Sequence, residues 1–188
     1  PVYNADGPWG YSKYIDYPNP VAAIEYTNSN EKNFDVIGNV HAILNFTKNL
    51  YFKSLIGMNF NRYDSYDFDP VYKVNNSQVN TVNKVYRGYS KTNNLLAENT
   101  LNYNNTFGKN SIGALVGFTA ERTRYEDIYA TKQNTPNDTP EMQYLSAAQL
   151  STSATATGAA TESALMSYLG RVNYNYDDKY LVTASLRA

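Results

Sequence analysis

The sequence predicts an all-β protein built from antiparallel hairpins. The 188 residues include 19 tyrosines and 25 asparagines, and these two residue types favour strands and turns respectively. Several stretches alternate apolar and polar residues with a period of two, which is the signature of a half-buried strand. Short and long connections between these stretches alternate along the chain, as they do in a series of hairpins.

The bulk composition excludes several classes of function. The formal net charge is -1, which argues against a nucleic-acid partner because phosphate binding needs a basic surface. There is no cysteine, which excludes disulfides and thiolate metal sites. No apolar run reaches about 18 residues, so no transmembrane helix is expected. Strands of a membrane barrel need only about 9–11 residues and produce no such run.

The first hairpin is predicted after an irregular beginning. Residues 1–31 contain Gly7, Pro8, Gly10, Pro18 and Pro20 and are predicted to form a loop. Strands follow at 33–46 and 50–63, with "TKN" as the turn between them. One face of this hairpin carries Phe34, Val36, Val40, Leu44, Phe46, Phe52, Ile56, Met58 and Phe60, and the other carries Asp35, Asn39, His41, Asn45, Lys53, Asn59 and Asn61.

The second hairpin follows a polar connection at 64–88. Its strands are predicted at about 89–106 and at 111–130, with "FGKN" as the turn. The first of these strands has the weaker pattern, because Asn99 interrupts its apolar face. The apolar face carries Leu95, Ala97, Leu101, Tyr103, Ile112, Ala114, Val116, Phe118 and Ala120.

The third hairpin, 164–188, follows a Thr-, Ser- and Ala-rich connection at 131–162. Its turn is "DDK", and between Met166 and Tyr176 Leu169 is the one apolar residue on its polar face. The apolar face carries Met166, Tyr168, Gly170, Val172, Tyr174, Tyr176, Tyr180, Val182, Ala184 and Leu186. Because successive strands are antiparallel, all three short turns are expected at one end and the long connections at the other.

This layout favours a transmembrane β-barrel segment with long extracellular loops. Three further details point to lipid: aromatic residues lie near the strand ends, the polar faces hold Asn, Thr and Ser rather than Lys and Glu, and the strands exceed the usual 5–6 residues. The aromatic residues are Phe34, Phe46, Tyr103, Phe107, Tyr174, Tyr176 and Tyr180. The alternative is a soluble extracellular β-sandwich that acts as a glycan-binding or adhesion module, because the same alternation would then bury the apolar faces.

Four stretches resemble the SusC/RagA family of TonB-linked outer-membrane transporters of Bacteroidetes-type bacteria. They are "NPVA" at 19–22, "GNVHAILNFTKNLYFKSLIGMNF" at 38–60, "ENTLNYNNTFGKNSIGALVGFTAE" at 98–121 and "SYLGRVNYNYDDKYLVTASLRA" at 167–188. The last of these is the most specific. Together they cover nearly all of the chain between its predicted loops.

The resemblance implies about six strands of a larger, 22-stranded barrel, so that residues 1–188 form part of a barrel domain without its plug domain. It implies a place in the outer membrane, contact with its lipid, and import of glycan or peptide nutrients. It also implies a SusD-like surface lipoprotein as partner, and TonB as a second partner through an N-terminal region that this chain does not include. Neither an enzyme activity nor a cofactor is implied.

Loop tyrosines are the candidate substrate contacts. Tyr63, Tyr66, Tyr72 and Tyr86 fall in or beside the connection at 64–88, where aromatic rings could stack on the apolar faces of sugars. The alternative is that they belong to the aromatic girdle found in any barrel.

Other motifs carry weaker hypotheses. His41 is the one histidine and has no second histidine or cysteine with which to bind metal or catalyse a reaction, so it is predicted to line the polar face. Asp64, Asp67 and Asp69 could bind a hard cation, but they lack the EF-hand spacing and are expected in a solvated loop. The stretch "ERTRYED" at 121–127 is expected to form cross-strand ion pairs. No catalytic or cofactor-binding cluster stands out.

Overall fold

A computed structural model describes residues 3, 9–10 and 17–188. The elements in this part of the chain are α1 (Pro20–Glu25), β1 (Asn28–Asn45), β2 (Leu50–Asp69), β3 (Tyr72–Lys73), β4 (Val79–Asn80), β5 (Lys84–Phe107), β6 (Asn110–Gln133), a 3₁₀ helix (Pro140–Met142), β7 (Leu150–Tyr176) and β8 (Tyr180–Arg187). Six strands form one sheet with the order β1-β2-β5-β6-β7-β8, and β3 and β4 form a separate pair. The prediction of an all-β fold made of three consecutive hairpins is confirmed.

The predicted ends of the strands were wrong on the side of the long connections. β2 continues to Asp69, β5 begins at Lys84, and β7 begins at Leu150, fourteen residues before the predicted start. The connections therefore shrink to residues 70–83 and 134–149. The reason is that backbone hydrogen bonds between neighbouring strands do not require apolar side chains, so pairing persists where the alternation fades. Polar side chains also pair in this region: the hydroxyl groups of Thr131 on β6 and Thr155 on β7 are hydrogen-bonded at 3.2 Å.

The predicted loop at 1–31 is only partly described, and Gly7 and Pro8 lie outside the described residues. Two regular elements occur within it, which corrects the prediction there. The first is α1, where the Asn19 side chain accepts hydrogen bonds from the backbone N–H groups of Val21 and Ala22 and Pro20 occupies the first turn. The second is the start of β1 at Asn28.

All three short turns were predicted correctly, and two show why their residues suit them. Asp177 and Asp178 have φ values of 56° and 55°, the positive values that a type I′ hairpin turn needs at both central positions. Gly108, with φ of 60°, supplies the first central position of a type II′ turn. These turns fix the register, which pairs Tyr176 with Tyr180 and Leu169 with Arg187 in the last hairpin.

The described chain divides into two compact units. Unit 1 contains residues up to 34, 62–90 and 126–159, and it holds both long connections. Unit 2 contains 35–61, 91–125 and 160–188, and it holds the three short turns. Long connections and short turns are thus separated between the units, as the sequence predicted.

Unit 2 has an inverted distribution of polarity. Its buried residues, among those described, are Thr100, Asn102 and Ser167. Large apolar side chains are exposed instead: Val116 is 58% exposed, and Ile56 65%. A water-soluble sheet would cover such a face. Unit 2 therefore has the polarity of a sheet that faces lipid.

The opposite face of unit 2 is held together by polar pairs. The Asn94 side-chain amide donates to Glu121 at 2.6 Å and to Thr123 at 2.8 Å, and Thr183 donates to Asn173 at 3.0 Å. These neighbouring strands thus satisfy one another's polar groups.

Leu169, which is an apolar residue on the polar face of the third hairpin, lies next to Gly117. A Cβ atom added at Gly117 would lie 3.2 Å from the Leu169 side chain. The glycine therefore leaves the space that the leucine side chain uses.

Unit 1 has a small conventional core. The buried apolar side chains of the described chain, Trp9, Ala22, Phe68, Val85 and Ala148, all lie in this unit. The Trp9 indole N–H donates to the Tyr26 hydroxyl at 3.0 Å. No helix in the described part of the chain is long and apolar enough to cross a membrane.

Candidate functional site

One face of the unit 1 sheet carries a cleft of about 880 Å³, which we call the aromatic cleft. Its size lies within the range of about 300–1,000 Å³ that is usual for ligand sites. The segment 134–149 forms part of its wall. The lining residues are Asn28, Asn30, Lys32, Asp64, Ser65, Tyr66, Arg87, Gly88, Tyr89, Ile128, Ala130, Pro140, Gln143, Tyr144 and Leu145.

Arg87 organises the aromatic cleft. Its guanidinium carbon lies 3.5 Å from the ring centroid of Tyr66 and 5.6 Å from that of Tyr144. Its Nη2 donates to the backbone carbonyl of Gln143 at 2.9 Å, and its Nη1 donates to the carbonyl of Tyr86 at 3.1 Å. A planar guanidinium can stack on a ring and donate within its plane at the same time, which an ammonium group cannot do. Arg87 therefore ties the segment 134–149 to the sheet.

A chain of buried amides supports this wall. Gln143 donates from its side chain to the backbone carbonyl of Asp138 at 2.8 Å and accepts from Asn28 and from the Tyr66 hydroxyl. Asn83 donates to the Asp138 carboxylate at 2.7 Å and accepts from the backbone N–H of Thr135, also at 2.7 Å. Because buried polar groups are costly when unpaired, this network fixes the conformation of the segment.

The other face of the unit 1 sheet carries a tyrosine cluster, defined as Tyr63, Tyr86 and Tyr129. The rings of Tyr86 and Tyr129 have centroids 6.2 Å apart. The Tyr63 hydroxyl donates to Glu31, and this hydrogen bond is the largest cause that raises the pKa of Tyr63 to about 12. Burial, followed by the charges of Tyr129 and Asp67, raises the pKa of Tyr86. At neutral pH Tyr63 and Tyr86 are therefore uncharged phenols.

A second cleft in unit 1, of about 530 Å³, is more polar, and we call it the polar cleft. Tyr72 stacks on Tyr26 there, with centroids 4.4 Å apart and planes inclined by 7°. Asp67, Asp69 and Lys84 also line it. Asp67 thus lines the polar cleft and also acts electrostatically on Tyr63 and Tyr86 of the tyrosine cluster.

The structure does not bring the four predicted tyrosines together. Tyr66 lies in the aromatic cleft, Tyr72 in the polar cleft, and Tyr63 and Tyr86 in the tyrosine cluster. Sequence reasoning missed Arg87, Gln143 and Tyr129. If β5 had been predicted to begin at Lys84, its alternation would have placed Tyr86 and Arg87 on opposite faces of the sheet. No pattern in the sequence indicates that Gln143 returns to the sheet.

Gly88 allows the sheet to pack closely beside these sites. A Cβ atom added at this position would lie 2.9 Å from ring carbons of Tyr129 and closer still to the Ser65 hydroxyl. We expect Gly88→Ala to destabilise unit 1 of the full-length protein by about 1–3 kcal/mol through overpacking. Denaturant titration followed by hydrogen exchange of 84–90 would measure this. Gly38→Ala is the matched control because the space around Gly38 is open, and equal effects of the two changes would disprove the prediction.

The weaker motifs have separate outcomes. The prediction that Asp64, Asp67 and Asp69 lie in a loop was wrong, since all three belong to β2, where Asp64 pairs with Arg62 at 3.0 Å. No group of three or more potential metal ligands occurs among the described residues. The ion pairs predicted in "ERTRYED" are confirmed, because Arg122 and Arg124 reach Glu162 on β7 at 2.8 Å and 4.0 Å. His41 is an exposed residue of β1.

Comparisons of sequence identify relatives among curated proteins. The chain is 32% identical over 174 residues to TonB-dependent receptor P39 of Formosa agariphila, and 27% identical over 187 residues to TonB-dependent receptor P3 of the same organism. These alignments cover 90% and 99% of this chain but 16% and 18% of the two receptors. The chain thus spans less than a fifth of the length of these relatives. No family model matches the sequence.

Comparisons of structure give the same relationship for the fold. The chain is similar to part of a structure of the RagAB peptide importer in its closed-closed state, with a TM-score of 0.80 and 17% identity. A structure of the RagAB peptide transporter gives a TM-score of 0.82 and 16% identity. Each alignment covers 99% of this chain and 21% of the solved chain.

Proposed function

We propose that the chain belongs to the TonB-dependent receptors of the SusC/RagA type and forms neighbouring strands in the barrel wall of an outer-membrane nutrient transporter. Residues 1–188 are then part of a barrel domain whose plug lies elsewhere in the protein. Transport would be energised through TonB, and a SusD-like surface lipoprotein would act as partner. The two sequence relatives are receptors, and we propose no enzyme activity for the chain.

The inverted polarity of unit 2 is the observation that carries this proposal. The apolar positions on β6 run from Ile112 to Ala120, none of them is buried, and the series ends at Arg122. Eight steps of about 3.4 Å give about 27 Å along the strand, or about 21 Å after a tilt near 40°. That is close to the apolar band of about 25 Å on outer-membrane barrels. A soluble β-sandwich would instead bury these side chains, whereas in unit 2 the buried residues are polar.

Cysteine labelling of the full-length protein in nanodiscs, after removal of any native cysteines, tests the orientation of the wall. We expect Thr119→Cys to react with a membrane-impermeant maleimide, because Thr119 has the parity of the polar positions on β6. Val116→Cys should resist that reagent, and a fluorophore attached there should be quenched by brominated lipid. The reverse pattern would show that the apolar face is covered by protein and would overturn the proposal.

We further propose that the tyrosine cluster and Tyr72 contact cargo. Tyr63 has the same parity on β2 as Lys53, Asn59 and Asn61, the polar positions that would face the lumen. Uncharged phenols and the carboxylates Glu31 and Asp67 suit a cargo with apolar faces and many hydrogen-bonding groups, such as an oligomeric glycan or a peptide. The likeness of the fold to a peptide importer favours a peptide, and the tyrosines suit either class.

Cargo affinity separates this role from a purely structural one. We expect Tyr86→Ala to weaken cargo binding by the full-length protein about tenfold, since loss of an aromatic contact removes about 1 kcal/mol or more. Tyr89→Ala on the opposite face is the matched control and should leave cargo affinity unchanged. Calorimetry with a library of peptides and of oligosaccharides would measure both, and an equal loss in the two variants would refute the role of the cluster.

A further inference from the structure

Most strand residues of the aromatic cleft share one parity. Nine of the eleven strand residues that line it occupy the positions that continue the apolar, lipid-facing pattern of their own strands. These nine are Asn28, Asn30, Lys32, Asp64, Tyr66, Arg87, Tyr89, Ile128 and Ala130. Ser65 and Gly88 are the two of opposite parity. If the polar parity faces the lumen, as proposed above, the aromatic cleft opens away from the transported cargo.

The unit that contains the cleft indicates which environment it meets. All residues that line the cleft belong to unit 1, which also holds both long connections. The long connections of outer-membrane barrels are extracellular. A membrane lipid that occupies the aromatic cleft would therefore come from the outer leaflet.

The charges and rings of the cleft define the chemistry of that occupant. Arg62 donates to both carboxylate oxygens of Asp64, at 3.0 and 3.1 Å, and so neutralises the one acidic residue in the lining. Lys32 and Arg87 leave the cleft cationic, which favours an anionic group. Tyr89 adds an aromatic ring of the kind that packs on the apolar face of a sugar.

Asn28 and Asn30 contribute side-chain amides, which can pair with sugar hydroxyls. We propose that the aromatic cleft binds the phosphorylated sugar headgroup of an outer-leaflet glycolipid. This inference rests on the orientation proposed for the wall. It assigns to the cleft a function separate from cargo transport.

Binding of lipopolysaccharide to the full-length protein tests the inference. The protein would be placed in phosphatidylcholine nanodiscs with graded amounts of lipopolysaccharide, and retained glycolipid would be counted by native mass spectrometry. We expect Lys32→Gln to weaken retention about fivefold, the effect of one basic residue near an anionic surface. Tyr89→Ala should also weaken it. Lys84→Gln removes a charge from the polar cleft and should leave retention unchanged.

Two further measurements test whether the phosphate group and the lipid anchor of the glycolipid are both needed for binding. Dephosphorylated lipopolysaccharide should be retained equally weakly by the native protein and by Lys32→Gln, because the charge contact is then absent. Free glucosamine 1-phosphate at the same concentration should not displace the glycolipid, whose acyl chains hold it in the bilayer.

Several results would overturn the inference. If the native protein, Lys32→Gln and Tyr89→Ala retained equal amounts of lipopolysaccharide, the cleft would not be a glycolipid site. Displacement by transported cargo would assign the cleft to cargo instead. A change of oligomeric state in the two cleft variants, without a change in glycolipid, would assign it to protein contact. The maleimide experiment reports separately on the orientation of the wall, so its failure is distinguishable from failure of glycolipid binding.

Discussion

Val116→Arg in the full-length protein is expected to destabilise the folded barrel by about 2–4 kcal/mol, the cost of a guanidinium on the lipid face near the bilayer midplane. Val116 is the central residue of the apolar series from Ile112 to Ala120, and it is 58% exposed. Lipid offers this position no hydrogen-bond partners, so the charge must reach an interface or draw water into the bilayer. Unfolding by guanidinium in phosphatidylcholine vesicles, followed by heat-modifiable migration on gels, measures the loss.

Thr119→Arg is the control for this change. Thr119 lies three residues away, about 8 Å nearer one end of the apolar band after tilt. It has the parity of the polar face, where water or polar groups would receive the guanidinium. Its effect should stay below that of Val116→Arg by at least about 1 kcal/mol. If Thr119→Arg were the more damaging of the two, the polar face would not look into a lumen and the assignment of the faces would be reversed.

Arg87→Ala should release the segment 134–149 from the sheet. The change removes the hydrogen bond from a charged donor to the Gln143 carbonyl and the ring contact with Tyr144 at 5.6 Å, which both join the segment to the sheet. It also removes the hydrogen bond to Tyr86 and the ring contact with Tyr66, which lie within the sheet. Contributions of this kind total about 2–4 kcal/mol. The loss falls on one local segment, because the paired strands of the sheet keep their own backbone hydrogen bonds. Limited proteolysis and hydrogen exchange of 134–149 should therefore change far more than the global unfolding midpoint.

Arg87→Lys distinguishes geometry from charge at this position. Lysine keeps the positive charge but cannot lie flat on Tyr66 while donating to two carbonyls. We expect it to recover only part of the protection of 134–149. Full recovery by lysine would show that charge alone holds the segment, and an unchanged exchange rate in Arg87→Ala would show that Arg87 does not hold it.

The sequence predicted the fold well wherever one side of a strand meets an apolar environment. Alternation located the strand that carries Val116, and turn residues such as Gly108 located the hairpin ends. The pattern failed beyond the apolar series, because a strand with solvent-accessible polar residues on both faces has no period-two signal. For that reason the residues of β7 from Leu150 to about Ser163 were predicted as a connection although they are paired.

The candidate sites were harder to predict for a related reason. The tyrosines of the 64–88 stretch could be recognised as unusual, but their faces depend on parity, and parity is defined only once a segment is known to be a strand. Tyr66 and Tyr63 are close in sequence and lie on opposite faces. Contacts such as that of Arg87 with Gln143 join residues 56 positions apart. No local pattern in the sequence predicts that the segment 134–149 folds back onto the sheet.

The tight turns at Gly108 and Asp177 have a consequence for how proteins of this kind could change in size. Each turn fixes the register of its own two strands through contacts that are local in the chain. The register within a hairpin therefore does not depend on the strands outside it. Duplication of one hairpin would insert two correctly registered strands and widen the ring without altering the pairing elsewhere. The circumference of such a wall can therefore grow in steps of two strands, which agrees with the even strand numbers of bacterial outer-membrane barrels.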